Sequence, residues 1–336
     1  MVASVAPHPR VHTVSVVIPV YQGESTLGPI IDELLALATD SVSPAGNSYR
    51  VAEVVLVYDN GPDLSDVVIR GLEHDHEFVH AVWLSRNFGQ HAATLAGIAT
   101  SFGDWVVTLD EDGQHDPRDI SVLLDAALQG RAQVVYAKPT NEAPHGWLRN
   151  VASRGSKRLA NRLLVAPNAA DYNSYRLIVG SVARGVAAYA GSGVYLDVAL
   201  GWVAGRYATA PTMLRGEVRS SGYNLRRLVG HFGRLVLTSG TRGLRVVSYI
   251  GVAFTVVGVA LAIWVIVVRL TAHFDAAGWA STVVILLLTS GATLFSLGII
   301  AEYVGVSVNM AMGKPAYLIT SDPNDGPLGA RQPTAK

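Results

Sequence analysis

Two long uncharged runs near the C-terminal end limit what this chain can become. Ser248–Leu270 holds a single charge, Arg269 at its edge, and Ser281–Ala301 holds none. A helix of about 20 apolar residues crosses a hydrocarbon core about 30 Å thick, so each run is long enough to span a bilayer. A pair of buried core helices is the alternative. Because the link Thr271–Ala280 is short, the runs are expected to form a helical transmembrane hairpin over 248–303, with both termini on one side. Seven arginines (Arg215, Arg219, Arg226, Arg227, Arg234, Arg242 and Arg245) precede the first run against one acid, Glu217. Arginine excess marks the cytoplasmic flank. The expected location is therefore the cytoplasmic (inner) membrane, multi-pass, with everything before the hairpin and the tail 304–336 cytoplasmic.

The 336 residues leave room for one large domain ahead of the hairpin. Lys plus Arg and Asp plus Glu balance at 26 each, so net charge points to no nucleic acid partner. With no cysteine, thiolate metal sites, disulfides and cysteine nucleophiles are excluded. Residues 1–12 have no apolar core and are expected to be disordered rather than a signal peptide. From Val14 the chain alternates. Val14–Val20, Val51–Tyr58, Val79–Leu84, Trp105–Leu109 and Val134–Ala137 read as strands, and Leu27–Leu37, Asn87–Thr100 and Ile120–Leu128 as helices. That order predicts an α/β domain over 13–222 with a mostly parallel sheet. Arg-rich amphipathic segments follow at Trp147–Leu164 and at Tyr223–Leu237, the second expected as a juxtamembrane helix within 223–247.

The strand before Asp110 ends in Asp110-Glu111-Asp112-Gly113-Gln114-His115-Asp116-Pro117. Oxygen ligands without Cys or paired His suit a hard cation, Mg²⁺ or Mn²⁺, and the carboxyl edge of such a sheet is where ligands bind. Asp110, Asp112 and Gln114 are the expected metal ligands. Asp116 suits a helix cap ahead of Pro117, which accounts for that acid but not the others. Tyr21 with Glu24, and Asp59, end two other strands and are expected to converge on the same place. His74, His76 and His80 read as surface polarity rather than a metal set. Gly251, Gly258 and Ala262 form a small-residue face on which spans pack within one chain or in a homo-oligomer.

Val17-Ile18-Pro19-Val20-Tyr21 with Glu24, Asp59-Asn60-Gly61, Ser85-Arg86-Asn87-Phe88-Gly89, Asp110-x-Asp112-Gly113-Gln114, Tyr175-Arg176, Ser221-Gly222-Tyr223 and Gly313-Lys314-Pro315 occur in this order. Together with the hairpin, they make the chain resemble, over about residues 14 to 318, the polyprenyl-phosphate glycosyltransferases, relatives of dolichol-phosphate mannose and glucose synthases within family 2 of the glycosyltransferases. The resemblance implies a GT-A, Rossmann-like domain that binds a nucleotide-sugar through Pro19, Tyr21, Glu24, Asp59, Asn87 and Asp110. It implies a divalent cation on Asp112, with Asp110 and Gln114, and inverting transfer to polyprenyl phosphate drawn from the lipid bilayer. Asp112, Asp171 and Arg176 are the implied catalytic residues. Arg149, Arg176, Arg219 and Ser221 are the implied acceptor-phosphate residues, with Arg154, Lys157 and Arg215 as further cations. The two-span architecture resembles the branch that uses UDP-linked glucosyl and amino sugars.

Two departures from the family pattern stand out. Ser174 occupies a position where many relatives carry an acid or a Ser-Gly pair, leaving Asp171 to orient Arg176 or the acceptor, or to cap a turn. The Asp59-Asn60-Gly61-Pro62 turn lacks the usual second Asp and Ser, which bears on base and sugar specificity. Competing readings are transfer to another membrane acceptor, a glycan or a diacylglycerol, and a non-catalytic nucleotide-binding membrane scaffold.

Overall fold

The computed structural model describes residues 10–141, 171–191, 194–216, most of 251–267, and 278–325. The chain divides into two compact units, one of Met1–Arg158, Asn168–Tyr223 and Pro315–Lys336, the other of Leu159–Pro167 and Asn224–Lys314. The expected juxtamembrane helix at 223–247 lies outside the described residues, as do Arg149, Arg154, Lys157, Arg219 and Ser221.

The first unit is built on a nine-stranded sheet. Its strands are β1 (His12–Val20), β2 (Ser41–Val42), β3 (Ser48–Tyr58), β4 (Val79–Leu84), β5 (Trp105–Thr108), β6 (Val134–Pro139), β7 (Arg176–Val179), β8 (Tyr207–Thr212) and β9 (Ile319–Thr320). They lie in the order β8-β6-β7-β5-β1-β3-β4-β9, with β2 paired to β3. The β-branched run of β1 is buried from Val14 to Val20, as befits an interior parallel strand covered on both faces. Val14, Val16, Ile18 and Val20 meet one core and Val17 the other, following the two-residue period of a strand.

Helices α1 (Leu27–Leu35), α2 (Ser65–Asp75) and α4 (Ile120–Gly130) supply the first core. The second core is supplied by α3 (Gln90–Thr100), α5 (Gly180–Tyr189) and α6 (Leu196–Val203). In α1, Leu27, Ile30, Ile31 and Leu34 recur at helical spacing and are all buried. Each such side chain contributes about 1.5–3 kcal/mol by leaving water. Strands β1, β3, β4 and β5 run parallel, so their carboxyl ends share one edge, whereas β7 is antiparallel between β5 and β6.

Helix α7 (Trp279–Ala311) contains Leu288–Gly305, long and apolar enough to cross a membrane. Its 33 residues extend past position 303, where the hairpin was expected to end. Described residues of the first apolar run are helical. Gly251 and Phe254 face Thr289, Ala292, Thr293 and Ser296 across a cavity of ≈370 Å³, so the two segments lie side by side. One further expectation is corrected. The α/β unit was expected to finish at residue 222, yet β9 returns after α7 and pairs antiparallel with β4. An otherwise open strand edge is satisfied by this late segment.

Candidate active site

At the carboxyl edge the loops after four parallel strands enclose a cavity of ≈460 Å³. Pro19 and Tyr21 come from the end of β1, Asp59 from β3, Asn87 and Gly89 from β4, and Asp110 and Asp112 from β5. Six of the sequence-derived candidates are thus brought together. Glu24, Gln114, Asp171 and Arg176 stand outside this lining.

Two acids in the wall brace the loops around them. Asp59 accepts from the backbone N–H of Phe88 at 2.7 Å and of Gly89 at 2.8 Å, which organises the turn from β4 into α3. Burial raises its pKa, against the pull of those two N–H donors. Glu111, passed over in the sequence reading, accepts from the N–H of Tyr21 at 2.8 Å and of Gln22 at 3.0 Å, tying the β1 loop to the end of β5. Burial raises its pKa also, with the Tyr21 and Gln22 N–H groups opposing. A signal was available, since the middle acid of Asp110-Glu111-Asp112 should point away from its neighbours. Gly61 completes the brace, because a Cβ there would lie 1.6 Å from the Tyr21 carbonyl oxygen.

Asp110 and Asp112 are held differently. Asp110 Oδ1 accepts from Gln90 Nε2 at 2.6 Å, and Oδ2 accepts from the Ser174 hydroxyl. Asp112 Oδ1 accepts from the Gln114 N–H at 3.0 Å across Gly113, whose φ of 72° is left-handed and favours glycine. The Gln114 carbonyl accepts from the Arg215 N–H at 2.9 Å. His115, nearly buried, stacks on Tyr175 with ring centroids 4.9 Å apart, and its Nδ1 lies 4.0 Å from Asp110 Oδ2.

The structure corrects the role expected of Arg176. It is 3% exposed, pairs with Asp197 from α6, and donates through Nε to Thr108 Oγ1 at 3.1 Å. Strand β7 sets Arg176 opposite Thr108 and Tyr136 in the sheet interior, where a charge must be paired. An acceptor phosphate cannot use it. Its influence runs inward instead: the Thr108 hydroxyl donates to the Ser174 carbonyl, and the Ser174 hydroxyl donates to Asp110. Arg215 is similarly committed, bidentate to Glu33 with both bonds at 2.8 Å and 2.9 Å from Asp116. Glu24 accepts from the Leu64 N–H at 3.2 Å, and its own N–H donates to Asp63 at 3.2 Å, linking the β1 and β3 loops. Asp171 lies 3.7 Å from Lys138 Nζ. Asp116 does cap the turn at Pro117. Burial works against its ionisation, but Arg118 and Arg215 hold its pKa at about 2.

Among the described residues, no three His, Asp or Glu side chains gather closely enough to cage a metal. A hard cation that arrives with a diphosphate needs only one or two carboxylates, phosphate and water supplying its other oxygens. Asp110 and Asp112, side by side on the cavity wall, fit that requirement.

Residues 15–181 match the family described as Glycosyl transferase family 2. An undecaprenyl-phosphate 4-deoxy-4-formamido-L-arabinose transferase from Edwardsiella ictaluri is 32% identical over 311 residues, covering 91% of this chain and 93% of that protein. One of the same name from Pseudomonas aeruginosa is 31% identical over 326 residues, covering 93% and 91% respectively. Among solved structures, glucosyl-3-phosphoglycerate synthase from Mycobacterium tuberculosis aligns at 18% identity and a TM-score of 0.49, over 69% of this chain and 79% of that one. The chain belongs to family 2 of the glycosyl transferases. It is a glycosyltransferase with a GT-A catalytic unit.

Proposed function

We propose that this enzyme moves a sugar from a UDP-linked donor to polyprenyl phosphate at the cytoplasmic membrane face. The observation that carries the reading is the cavity with Asp110 and Asp112 at the carboxyl ends of parallel strands, in a chain that also bears an apolar helix long enough to span a bilayer. The names of relatives aligned over nine-tenths of the chain support the same acceptor class.

Tyr21 and Asn87 border the space for the nucleotide, and Asp59 keeps the Ser85–Gly89 loop against it. Asp112 and Asp110 would hold a Mg²⁺ or Mn²⁺ ion, which supplies neutralising charge to the departing diphosphate. A phosphate oxygen of the acceptor forms a bond to the anomeric carbon as the carbon–oxygen bond to the nucleoside diphosphate breaks, and configuration inverts. A phosphate monoester with a second pKa of about 6 is already mostly ionised at neutral pH, so the nucleophile needs no strong base. Pairing of Asp171 with Lys138 fits a role in orienting the acceptor side rather than in proton removal. Arg149, Arg219 and Ser221 are proposed for the acceptor phosphate, and α7 with the preceding apolar run for the membrane anchor.

The test is to incubate full-length protein with Mn²⁺, a polyprenyl phosphate and a panel of nucleotide-sugars, then weigh the lipid product. A lipid gaining one sugar from a UDP donor is expected. Sugar appearing only on a glycan or diacylglycerol would overturn the acceptor assignment, and a product only from GDP donors would overturn the nucleotide.

A further inference from the structure

We propose that the segment after the apolar helix, Pro315–Asp325, is a strap that holds the loop Ser85–Gly89 in register for the donor, a role that rests on reading the cavity as a nucleotide-sugar site. Strand β9 pairs Ile319 with Leu84 and Thr320 with Trp83, at the last residues of β4. One step further on, the Ser85 N–H donates to the Leu318 carbonyl at 3.0 Å. The chain then runs directly into Asn87 and Gly89, which line the cavity, and into the Phe88 and Gly89 N–H groups held by Asp59. The loop is therefore pinned twice, by Asp59 from within and by Leu318 from the sheet edge.

The strap is itself clamped. Arg70 on α2 donates to both oxygens of Asp322, at 2.6 and 2.9 Å, and to Asp66 at 2.8 Å. Its guanidinium lies 4.7 Å from the centre of the Trp83 ring, which joins the clamp to the strand that the strap covers. A forked, charge-assisted pair is stronger and more directional than a single bond. With side chains only 23% and 15% exposed, this pair is less screened than an open surface pair. Donor-site geometry thus depends on a clamp whose two partners lie 252 positions apart in sequence, on either side of the apolar helix.

The experiment compares full-length enzyme in lipid nanodiscs with Asp322→Ala, with Asp322→Glu, and with a chain ending at Lys314. Hydrogen exchange is followed in peptides covering 85–90 and, as reference, 14–20. Both Asp322→Ala and the truncation should speed exchange at 85–90 while leaving 14–20 protected. KM for the nucleotide-sugar should rise about tenfold with kcat changed less than about twofold, the loss of roughly one charge-assisted hydrogen bond. Asp322→Glu should recover most of both. Unchanged exchange at 85–90 in Asp322→Ala and in the truncation would overturn the strap, as would faster exchange with an unmoved KM. Should the wild type turn over no nucleotide-sugar, the donor reading fails on its own, and the exchange comparison still decides whether the strap holds the loop.

Discussion

Two pairs of acids sit in one cavity wall and do different work. Asp59 and Glu111 accept from backbone N–H groups of loops that belong to other strands. Asp110 accepts from the side chains of Gln90 and Ser174, and Asp112 accepts from the N–H of its own turn. In the first pair the carboxylates satisfy backbone donors of two loops that they hold in shape, a structural demand. The second pair is oriented by the Gln90 and Ser174 side chains and by the Gly113 turn, which fits the metal-holding role proposed for it. Position at a strand end alone therefore does not single out the proposed ligands; the donors each acid serves count as well.

The sharpest way to break this division is Asp112→Ala. It should lower metal-dependent turnover by about 10²–10³-fold, the scale of losing one electrostatic stabiliser of the transition state, while melting within about 0.5 kcal/mol of wild type. Turnover assays across Mn²⁺ concentrations with a parallel melting curve would show it, and undiminished turnover would sink the metal assignment. Asp59→Ala should behave in the opposite way. Losing an ionised acceptor costs about 1.5–3 kcal/mol per bond, so stability falls clearly and KM for the donor rises as the Ser85–Gly89 loop loosens. If Asp59→Ala melts like wild type yet loses nucleotide affinity, Asp59 is a ligand and the contrast with Asp112 collapses.

Much of the fold and part of the site could be read before any coordinates. The strands at Val14–Val20, Val51–Tyr58 and Val79–Leu84 were legible because β-branched runs are punctuated by Gly, Pro and Asn turns. Strand β7 was not, because Arg176 at its head looks like an exposed functional cation until Asp197, 21 residues later, is seen beside it. Strand β9 is two residues long and pairs with β4 across the whole intervening apolar segment, a contact no local pattern announces. Helix α2 buries only Ser65 and Ile69, too sparse a stripe to read as a periodic face. At the site, Pro19, Tyr21, Asp59, Asn87, Asp110 and Asp112 were correctly drawn to one edge, since parallel strands deliver their ends there. Which way each carboxylate turns depends on donors from distant loops, and so the sequence does not announce that Glu111 ties the β1 loop or that Glu24 bonds to the β3 loop.

Smaller changes sharpen the same contrast. Ser174→Ala removes one of the donors that orient Asp110 and should cost about 0.5–1.5 kcal/mol, seen as a severalfold rise in the Mn²⁺ and donor concentrations needed for half-maximal rate. If only the melting temperature moved, Ser174 would belong with the structural braces rather than with the ligand pair.

The smallest effect concerns Asp116, next to this site but outside the cavity lining. Its folded pKa of about 2 lies below the ordinary 3.8, with burial opposing and Arg118 and Arg215 prevailing. A depressed carboxylate stabilises the fold above its unfolded pKa, and that contribution fades as pH falls from about 4 towards 2. Because the Arg118 partner is 76% exposed, screening keeps its share of the contribution small. Melting curves for wild type and Asp116→Asn should differ at pH 6 and draw together from pH 4 downward. Curves that stay parallel through pH 3 would mean that Asp116 acts through its cap hydrogen bond to the Arg118 N–H, and that the ion pair with Arg215 adds no measurable stability.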